Sequence, residues 1–301
     1  MSPETTLSPA GHGTAGPAVL DHVAVAVERW ADAWPRYAVD LGGSWNSGGL
    51  NIGFGPAQLR FANGARVEVL QPWQPESNPF LRRFLDTNGP GPHHLTFKVA
   101  DLPAALDAVR AGGFDPIGVD LSDPTWQEAF LHPRQATGVV VQLAQAAADW
   151  TAPAPEGFPA HRRHPPAALD HVTHVVADLD GALVLFRDLL GGSVERSGDA
   201  GPGLGSVDLR WSGPLGLRLV GPAGEPGTGT RADDGLATHL AGRPGRVHHL
   251  HFTLDDPGDV ADAAAADGLA RADLLGVDAE GAWVVQPQDN LGARLVLAGA
   301  G

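Results

Sequence analysis

The chain has 301 residues, 43% of them hydrophobic, and this length predicts two domains with packed cores. Its net charge of −15 argues against a nucleic-acid-binding protein and against an anionic membrane partner, because both usually require a basic face. The absence of cysteine excludes disulfides, thiolate nucleophiles and cysteine metal sites. Neither a signal peptide nor an apolar run of about 18 residues is recognisable. We therefore expect a soluble, cytoplasmic protein, in which the 13 histidines are the unusual feature.

Two segments of biased composition divide the chain. Residues 1–18 are rich in Pro, Gly, Ser and Thr and predict a disordered tail, and residues 147–167 predict a proline-rich linker. The domains would then span residues 19–146 and 168–299. Short motifs recur between them at a nearly constant offset: LDHV at 20–23 returns at 169–172, and the histidine pair at 93–94 returns at 248–249. We infer that the two domains are copies of one fold.

Hydrophobic periodicity predicts the same order of elements twice within each half. The first half begins with a strand at 19–27 and a helix at 29–41, followed by strands that end at residue 70. A strand at 93–99 restarts the pattern, and a helix at 102–111 with Asp101 as its N-cap precedes strands that end at residue 144. The second half repeats the pattern, with strands near His171 and His249 and helices predicted at 179–190 and from Val260 onward.

Side chains alternate between the two faces of a strand, and this alternation separates polar residues from apolar ones. Within residues 93–99, the apolar side chains share one face and leave His94 on the other. The same parity argument isolates one polar residue on each of three further strands. The four candidate metal ligands are His22, Glu68, His94 and Gln142. Two imidazoles, one carboxylate and one amide oxygen suit a divalent first-row metal ion.

These motifs resemble the vicinal oxygen chelate superfamily, which includes glyoxalase I, methylmalonyl-CoA epimerase and extradiol dioxygenases. LDHV at 20–23, VEVLQP at 67–72, GPHHL at 91–95 and GVVVQL at 138–143 look most similar to the epimerase. The resemblance implies an α+β fold of two lobes, each built from paired βαβββ modules. It also implies one divalent metal ion per chain, of Fe, Mn, Co, Ni or Zn.

The sequence departs from the family pattern in both halves. The family usually has a glutamate, often the catalytic base, where this chain has Gln142, and the epimerase often has a glutamine where this chain has Glu68. No acid stands at 49–52, where a second epimerase base would be expected, so a plain methylmalonyl-CoA epimerase is disfavoured. In the second half Arg218 and Val296 take the second and fourth ligand positions. We therefore predict that its metal site is degenerate, with His249, His251, Arg218 and Arg294 forming a cationic pocket or a polar core.

The leading functional hypothesis is a metal-dependent epimerase or isomerase. It would abstract a proton next to the metal-bound carbonyl of a small hydroxy-ketone, such as a keto-cyclitol of a natural-product pathway. The candidate catalytic residues are Glu68 as base and, next, Glu128. The alternatives are an Fe(II)-dependent extradiol-type dioxygenase and a non-catalytic sequestration protein of the bleomycin-resistance kind. The expected partner is a small-molecule substrate, and the expected assembly is a monomer or a homodimer.

Overall fold

The structure is a computed structural model that describes residues 18–148, 151–223, 234–255 and 282–299. The predicted tail, apart from Ala18, and the helix predicted from Val260 lie outside the described residues. The described part contains two mixed β-sheets, one in each half of the chain. We call the halves lobe 1 and lobe 2. This architecture confirms the predicted α+β class and the two-lobed organisation.

The sheet of lobe 1 has eight strands in the order β2-β3-β4-β1-β5-β8-β7-β6. At its centre β1 runs antiparallel to β5, whereas β1 is parallel to β4 and β5 is parallel to β8. Each half of the sheet is therefore one strand–helix–three-strand module, and the two first strands join them. The strands are β1 (Val19–Ala26), β2 (Ser44–Gly48), β3 (Gly53–Arg60), β4 (Arg66–Trp73), β5 (Gly91–Lys98), β6 (Ile117–Asp120), β7 (Trp126–Leu131) and β8 (Val140–Ala146).

Three helices accompany this sheet. Helix α1 (Trp30–Ala33) widens into a π-helical segment over Trp34–Asp40, which has Pro35 in its first turn. Helix α2 (Phe80–Asn88) is absent from the sequence-based prediction. Helix α3 (Leu102–Ala111) has the predicted bounds, and the Asp101 carboxylate accepts a hydrogen bond of 2.9 Å from the backbone N–H of Ala104 as expected of an N-cap.

Lobe 2 repeats the topology, with its described strands in the order β10-β11-β12-β9-β13-β15-β14. The strands are β9 (Ala168–Val176), β10 (Ser193–Gly201), β11 (Leu204–Arg210), β12 (Gly216–Pro222), β13 (Gly245–Leu254), β14 (Trp283–Val285) and β15 (Leu295–Gly299). Helix α4 (Leu179–Leu183) again continues as a π-helix, Val184–Leu189, and α5 (Asp234–Leu240) corresponds to α2. The equivalence extends to single residues: His22 pairs with Arg66 in lobe 1, and His171 pairs with Gly216 in lobe 2.

The lobes share one apolar core, which lies between the two sheets and their helices. Phe61 of lobe 1 packs edge-on against Phe252 of lobe 2, with ring centroids 5.0 Å apart. The buried Asn290 side chain donates a hydrogen bond of 3.2 Å to the hydroxyl of Tyr37. The segment between the lobes follows the surface of lobe 1, where the carbonyl of Ala152 accepts a 2.7 Å hydrogen bond from the indole of Trp45. The apolar side of each sheet thus faces this core, and the other side is left for a site.

Candidate metal centre

Three of the four predicted ligands meet on the outer face of the lobe 1 sheet. Ala24 of β1 is paired with Glu68 of β4 on one side and with His94 of β5 on the other, and His22 lies two residues earlier on β1. One carboxylate oxygen of Glu68, Oε2, lies 3.6 Å from Nε2 of His22 and 3.6 Å from Nε2 of His94. All three side chains are buried, and their ligand atoms lie within 4.8 Å of one another.

The donor set fits a divalent transition metal. The Nε2 atom of His94 is buried and has no hydrogen-bond partner among the described residues, which is costly unless a ligand completes the site. Two imidazoles and one carboxylate are the donors that Fe, Co, Ni and Zn accept. The residues that would hold the ion are therefore His22, Glu68 and His94.

Asp21 orients His22 toward the cluster. Its Oδ2 lies 2.8 Å from Nδ1 of His22, which leaves Nε2 facing Glu68. Burial by itself would raise the pKa of Asp21, but the hydrogen bond with His22 and the charges of Lys98 and Arg66 hold it well below its usual range. Burial would likewise lower the pKa of His22, and the neighbouring carboxylates of Glu68 and Asp21 overcome this and raise it to about 9 in the metal-free chain.

His93 plays the corresponding part for His94. A β-bulge at this point of β5 brings the Nδ1 atoms of the two rings to 2.8 Å, and Nε2 of His94 then points into the cluster. His93 itself packs edge-on against Phe84 of α2, with ring centroids 4.6 Å apart. Burial lowers the pKa of His93 to about 4 and holds the pKa of His94 well below its ordinary value, so both rings are neutral near pH 7. A neutral imidazole is the form that binds a metal ion.

Gln142 connects the cluster to a second carboxylate. Its Oε1 accepts a hydrogen bond of 2.6 Å from the hydroxyl of Thr96, which is 2.9 Å from Nε2 of His22. Its Nε2 donates a hydrogen bond of 2.7 Å to Oε2 of Glu128 on β7. The indole of Trp126 donates to the same oxygen at 2.9 Å. Gln142 therefore lies at the edge of the cluster, and Glu128 lies beyond it on the same face.

Four residues that support the cluster were not singled out from the sequence: Asp21, Gln58, Thr96 and Trp126. The amide of Gln58 donates a 3.2 Å hydrogen bond to Oε1 of Glu68, the oxygen that faces away from the histidines. The alternation of faces along β5 could have predicted Thr96, because Thr96 shares a strand face with His94. The contact of Gln58 depends on the pairing of β3 with β4, which the sequence pattern does not give.

The face of lobe 2 has different chemistry at the same places. The strand register puts Arg218 where lobe 1 has Glu68, and Val296 where lobe 1 has Gln142. Arg218 forms two hydrogen bonds to the carboxylate of Asp208, at 2.6 and 3.1 Å. A second group of metal-competent side chains nevertheless lies here, made of His171, His249 and His251.

Comparison with known proteins agrees with the resemblance seen in the sequence. Residues 21–130 match the model of the Glyoxalase/Bleomycin resistance protein/Dioxygenase superfamily. This match confirms the resemblance to the vicinal oxygen chelate superfamily within lobe 1. No curated protein sequence matches the chain.

One of the similar solved structures extends the likeness of fold to both lobes. A variant of 4-hydroxymandelate synthase from Streptomyces coelicolor is 16% identical with a TM-score of 0.62, and the match covers 93% of this chain and 92% of that one. Methylmalonyl-CoA epimerase from Mycobacterium tuberculosis is 28% identical with a TM-score of 0.39, covering 43% of this chain and 89% of that one. A variant of the Streptomyces coelicolor epimerase with bound 2-nitronate-propionyl-CoA is 24% identical, covers 44% of this chain and 100% of that one, and has a TM-score of 0.39. The full-length match shows a tandem glyoxalase-like fold.

Among the described helices, none combines the length and the apolar character that crossing a bilayer requires.

Proposed function

We propose that lobe 1 binds one divalent metal ion and transfers a proton at a carbon atom next to a carbonyl group, as an epimerase or isomerase does. The proposal rests on the positions of two carboxylates, Glu68 and Glu128. Only Glu68 lies between the two histidines, where it can bind the ion. Glu128 lies outside the histidine cluster, where it accepts a hydrogen bond from Gln142, and it is therefore available to act as the base. The substrate class that we propose is a small hydroxy-ketone, with a keto-cyclitol as one example.

The metal ion would be held by His22, Glu68 and His94, with Gln142 at the fourth predicted position. When bound, it supplies Lewis acidity that makes a proton next to a carbonyl easier to remove. The carboxylate of Glu68 is committed to this role, because Gln58 holds its Oε1 while its Oε2 faces both histidines.

Glu128 is the base that we assign. Hydrogen bonds from Trp126 and Gln142 fix its Oε2, and the side chain is only partly buried, so a substrate on this face can reach it. A carboxylate accepts a proton at neutral pH, whereas the amide of Gln142 does not. The sequence favours Glu68 as the base and Glu128 as the next candidate. The geometry leads us to propose the reverse order, with Glu68 as ligand.

A dioxygenase is the second candidate, and one observation favours it. The cluster of His22, His94 and Glu68 has the two-histidine, one-carboxylate composition of Fe(II) sites that activate oxygen. Both candidates require the same ligands, so ligand mutagenesis alone does not separate them. A sequestration protein would require neither Glu128 nor turnover.

The separating experiment supplies metal-loaded protein with a panel of small hydroxy-ketones in deuterated buffer, first without oxygen and then with it. Under anaerobic conditions we expect deuterium to be incorporated at the carbon next to the carbonyl. Mass spectrometry or NMR measures this incorporation. Oxygen consumption without exchange would establish the dioxygenase instead. Binding without exchange or oxygen uptake would favour sequestration. The cytoplasmic location and the monomeric or homodimeric state are further parts of the proposal.

A further inference from the structure

Lobe 2 carries three histidines on the sheet face that corresponds to the metal-binding face of lobe 1. His249 and His251 stand two residues apart on β13, so they share one face of that strand. His171 lies on the neighbouring strand β9, directly paired with His251. One nitrogen atom from each of the three rings lies within 4.8 Å of the others.

These rings are placed as metal ligands rather than as surface residues. His249 is 0% exposed, and Nε2 of His171 is buried without a hydrogen-bond partner among the described residues. The cluster is therefore a set of three ring nitrogens close enough to be drawn onto one ion, and one buried donor atom in it, Nε2 of His171, is still unsatisfied by the described residues.

Charges of both signs surround the three histidines. The guanidinium of Arg218 makes two hydrogen bonds to Asp208, a carboxylate that also pairs with Arg196 at 3.0 Å. A second carboxylate, Asp170, lies 3.8 Å from Nδ1 of His171 and 3.6 Å from Arg210. It adds negative charge near the three histidines, but it is too far from His171 to hydrogen-bond the ring.

We propose that lobe 2 binds a second divalent transition metal ion through His171, His249 and His251. Three imidazole donors suit Zn(II), Co(II), Ni(II) or Cu(II). Nitrogen atoms that share one tetrahedral zinc ion lie about 3.4 Å apart. The ring nitrogens lie within 4.8 Å of one another, so they need to close by up to about 1.4 Å. The proposal departs from the sequence-based prediction of one metal ion per chain, which treated His251 as part of a cationic pocket or polar core.

A chain of hydrogen bonds weakens this second site. Arg294 can only donate, and its Nη1 lies 2.7 Å from Nε2 of His248, so the proton of His248 is on Nδ1. That Nδ1 lies 2.8 Å from Nδ1 of His249, whose own proton is therefore on Nε2, 3.0 Å from the hydroxyl of Thr173. A metal ion must displace this proton in order to bind His249.

Lobe 1 keeps the histidine pair, with the Nδ1 atoms of His93 and His94 2.8 Å apart, but it lacks the arginine, because Val140 occupies the register position of Arg294. The variant Arg294→Val gives lobe 2 the residue of lobe 1. We expect it to tighten metal binding in lobe 2 by about tenfold or more, the scale of effects from groups that orient metal ligands.

The test is a Co(II) titration of the full chain, with lobe 1 silenced by the double change His22→Ala/His94→Ala. We expect this chain to bind one equivalent of Co(II) with a visible absorption band. His251→Thr should abolish it, and since lobe 1 carries Thr96 at this register position, the fold should tolerate that change. His239→Gln is the matched control, because His239 packs against His248 but lies outside the three ligands.

Two results would overturn the proposal: no Co(II) bound by the silenced chain, or binding that survives His251→Thr. Unchanged or weaker binding in Arg294→Val would overturn the role of the hydrogen-bond chain. If the double variant does not fold, His251→Thr in the otherwise unchanged chain decides, since it should remove one of two bound equivalents. None of these readouts depends on turnover, so they are independent of the function proposed for lobe 1.

Discussion

The Oδ2 atom of Asp21 lies 2.8 Å from Nδ1 of His22, and this contact turns Nε2 of the histidine toward Glu68. In lobe 2 the corresponding distance, from Asp170 to His171, is 3.8 Å. The same two adjacent residue types therefore give a tight, buried pair in one lobe and a looser pair in the other. Arg66 and Lys98 each place a nitrogen atom 3.3 Å from Asp21 and hold its carboxylate in the charged form.

Asp21→Asn is expected to weaken metal binding in lobe 1 by about 10- to 100-fold, because the imidazole loses the carboxylate that orients it. Chelator competition with Co(II) or Zn(II) measures the effect, and the His251→Thr background removes any contribution from lobe 2. Asp32→Asn is the control, since Asp32 pairs with Arg29 at the surface. An affinity in Asp21→Asn equal to that of the control would show that His22 needs no such partner.

Glu128→Gln and Glu68→Gln should separate the base from the ligand. Glu128→Gln retains the hydrogen bond of Trp126 to an oxygen and should leave metal binding intact while turnover falls about 100-fold or more, the usual scale for a general base. Glu68→Gln should weaken metal binding first, and turnover as a consequence. Metal content and solvent-deuterium exchange, measured on the same samples, check both expectations. If Glu128→Gln exchanges deuterium as fast as the unchanged protein at full metal content, Glu128 is not the base, and Glu68 becomes the next candidate.

Much of the fold follows from local signals in the sequence. The bounds of α3 come from an N-cap, an apolar stripe and a following glycine, all of which are local. Helix α2 lacked such a cap, since Pro79 precedes it and provides no side-chain hydrogen bond, and it was missed. Periodicity does not reveal the π-helical continuation of α1, and Pro35 does not explain it, because Val184–Leu189 of lobe 2 is π-helical without a proline.

The sequence predicted which side chains share the face of the candidate site, but not the contacts that they make there. Strand parity placed Glu68 and His94 on one face, and the structure shows both beside Ala24. Parity could not show that Gln142 binds Thr96 and Glu128, because that requires the register between β5, β8 and β7. For the same reason the sequence did not show that His251 and His171 are direct neighbours across two strands of lobe 2.

Acid should destabilise the metal-free protein steeply. Burial lowers the pKa of eight described histidines below the ordinary value, whereas in the unfolded chain they take up protons near pH 6.5. The unfolded state then binds more protons, so the free energy of unfolding falls as the pH falls below about 6.5, by up to about 1.4 kcal/mol per histidine per pH unit. These residues are His93, His94, His171, His174, His239, His248, His249 and His251.

His22 acts in the opposite direction, because its pKa is raised to about 9. Its contribution to the free energy of unfolding is complete below about pH 6.5 and is lost as the pH rises through 9. Urea unfolding between about pH 5.5 and 7.5 tests the acid limb. His174→Gln should reduce the slope by the share of one buried histidine, whose pKa burial lowers to about 4. His161→Gln, at an exposed position, should not change the slope. Equal slopes in the two variants would contradict the explanation.

The contact between the two lobes should stabilise the protein, and two glycines allow this to be tested. Gly138 and Gly113 have nearly the same backbone conformation, with φ of +90° and +89°, so alanine is strained at both by about 1–2 kcal/mol. A Cβ atom at Gly113 would meet open space, whereas one at Gly138 would run into the backbone of Gly245 in lobe 2. Gly138→Ala must therefore also push the lobes apart. We expect it to lower the free energy of unfolding clearly more than Gly113→Ala, by loss of packing in the shared core. Chemical unfolding followed by tryptophan fluorescence measures both variants. Equal losses would mean that the contact between the lobes contributes little to stability.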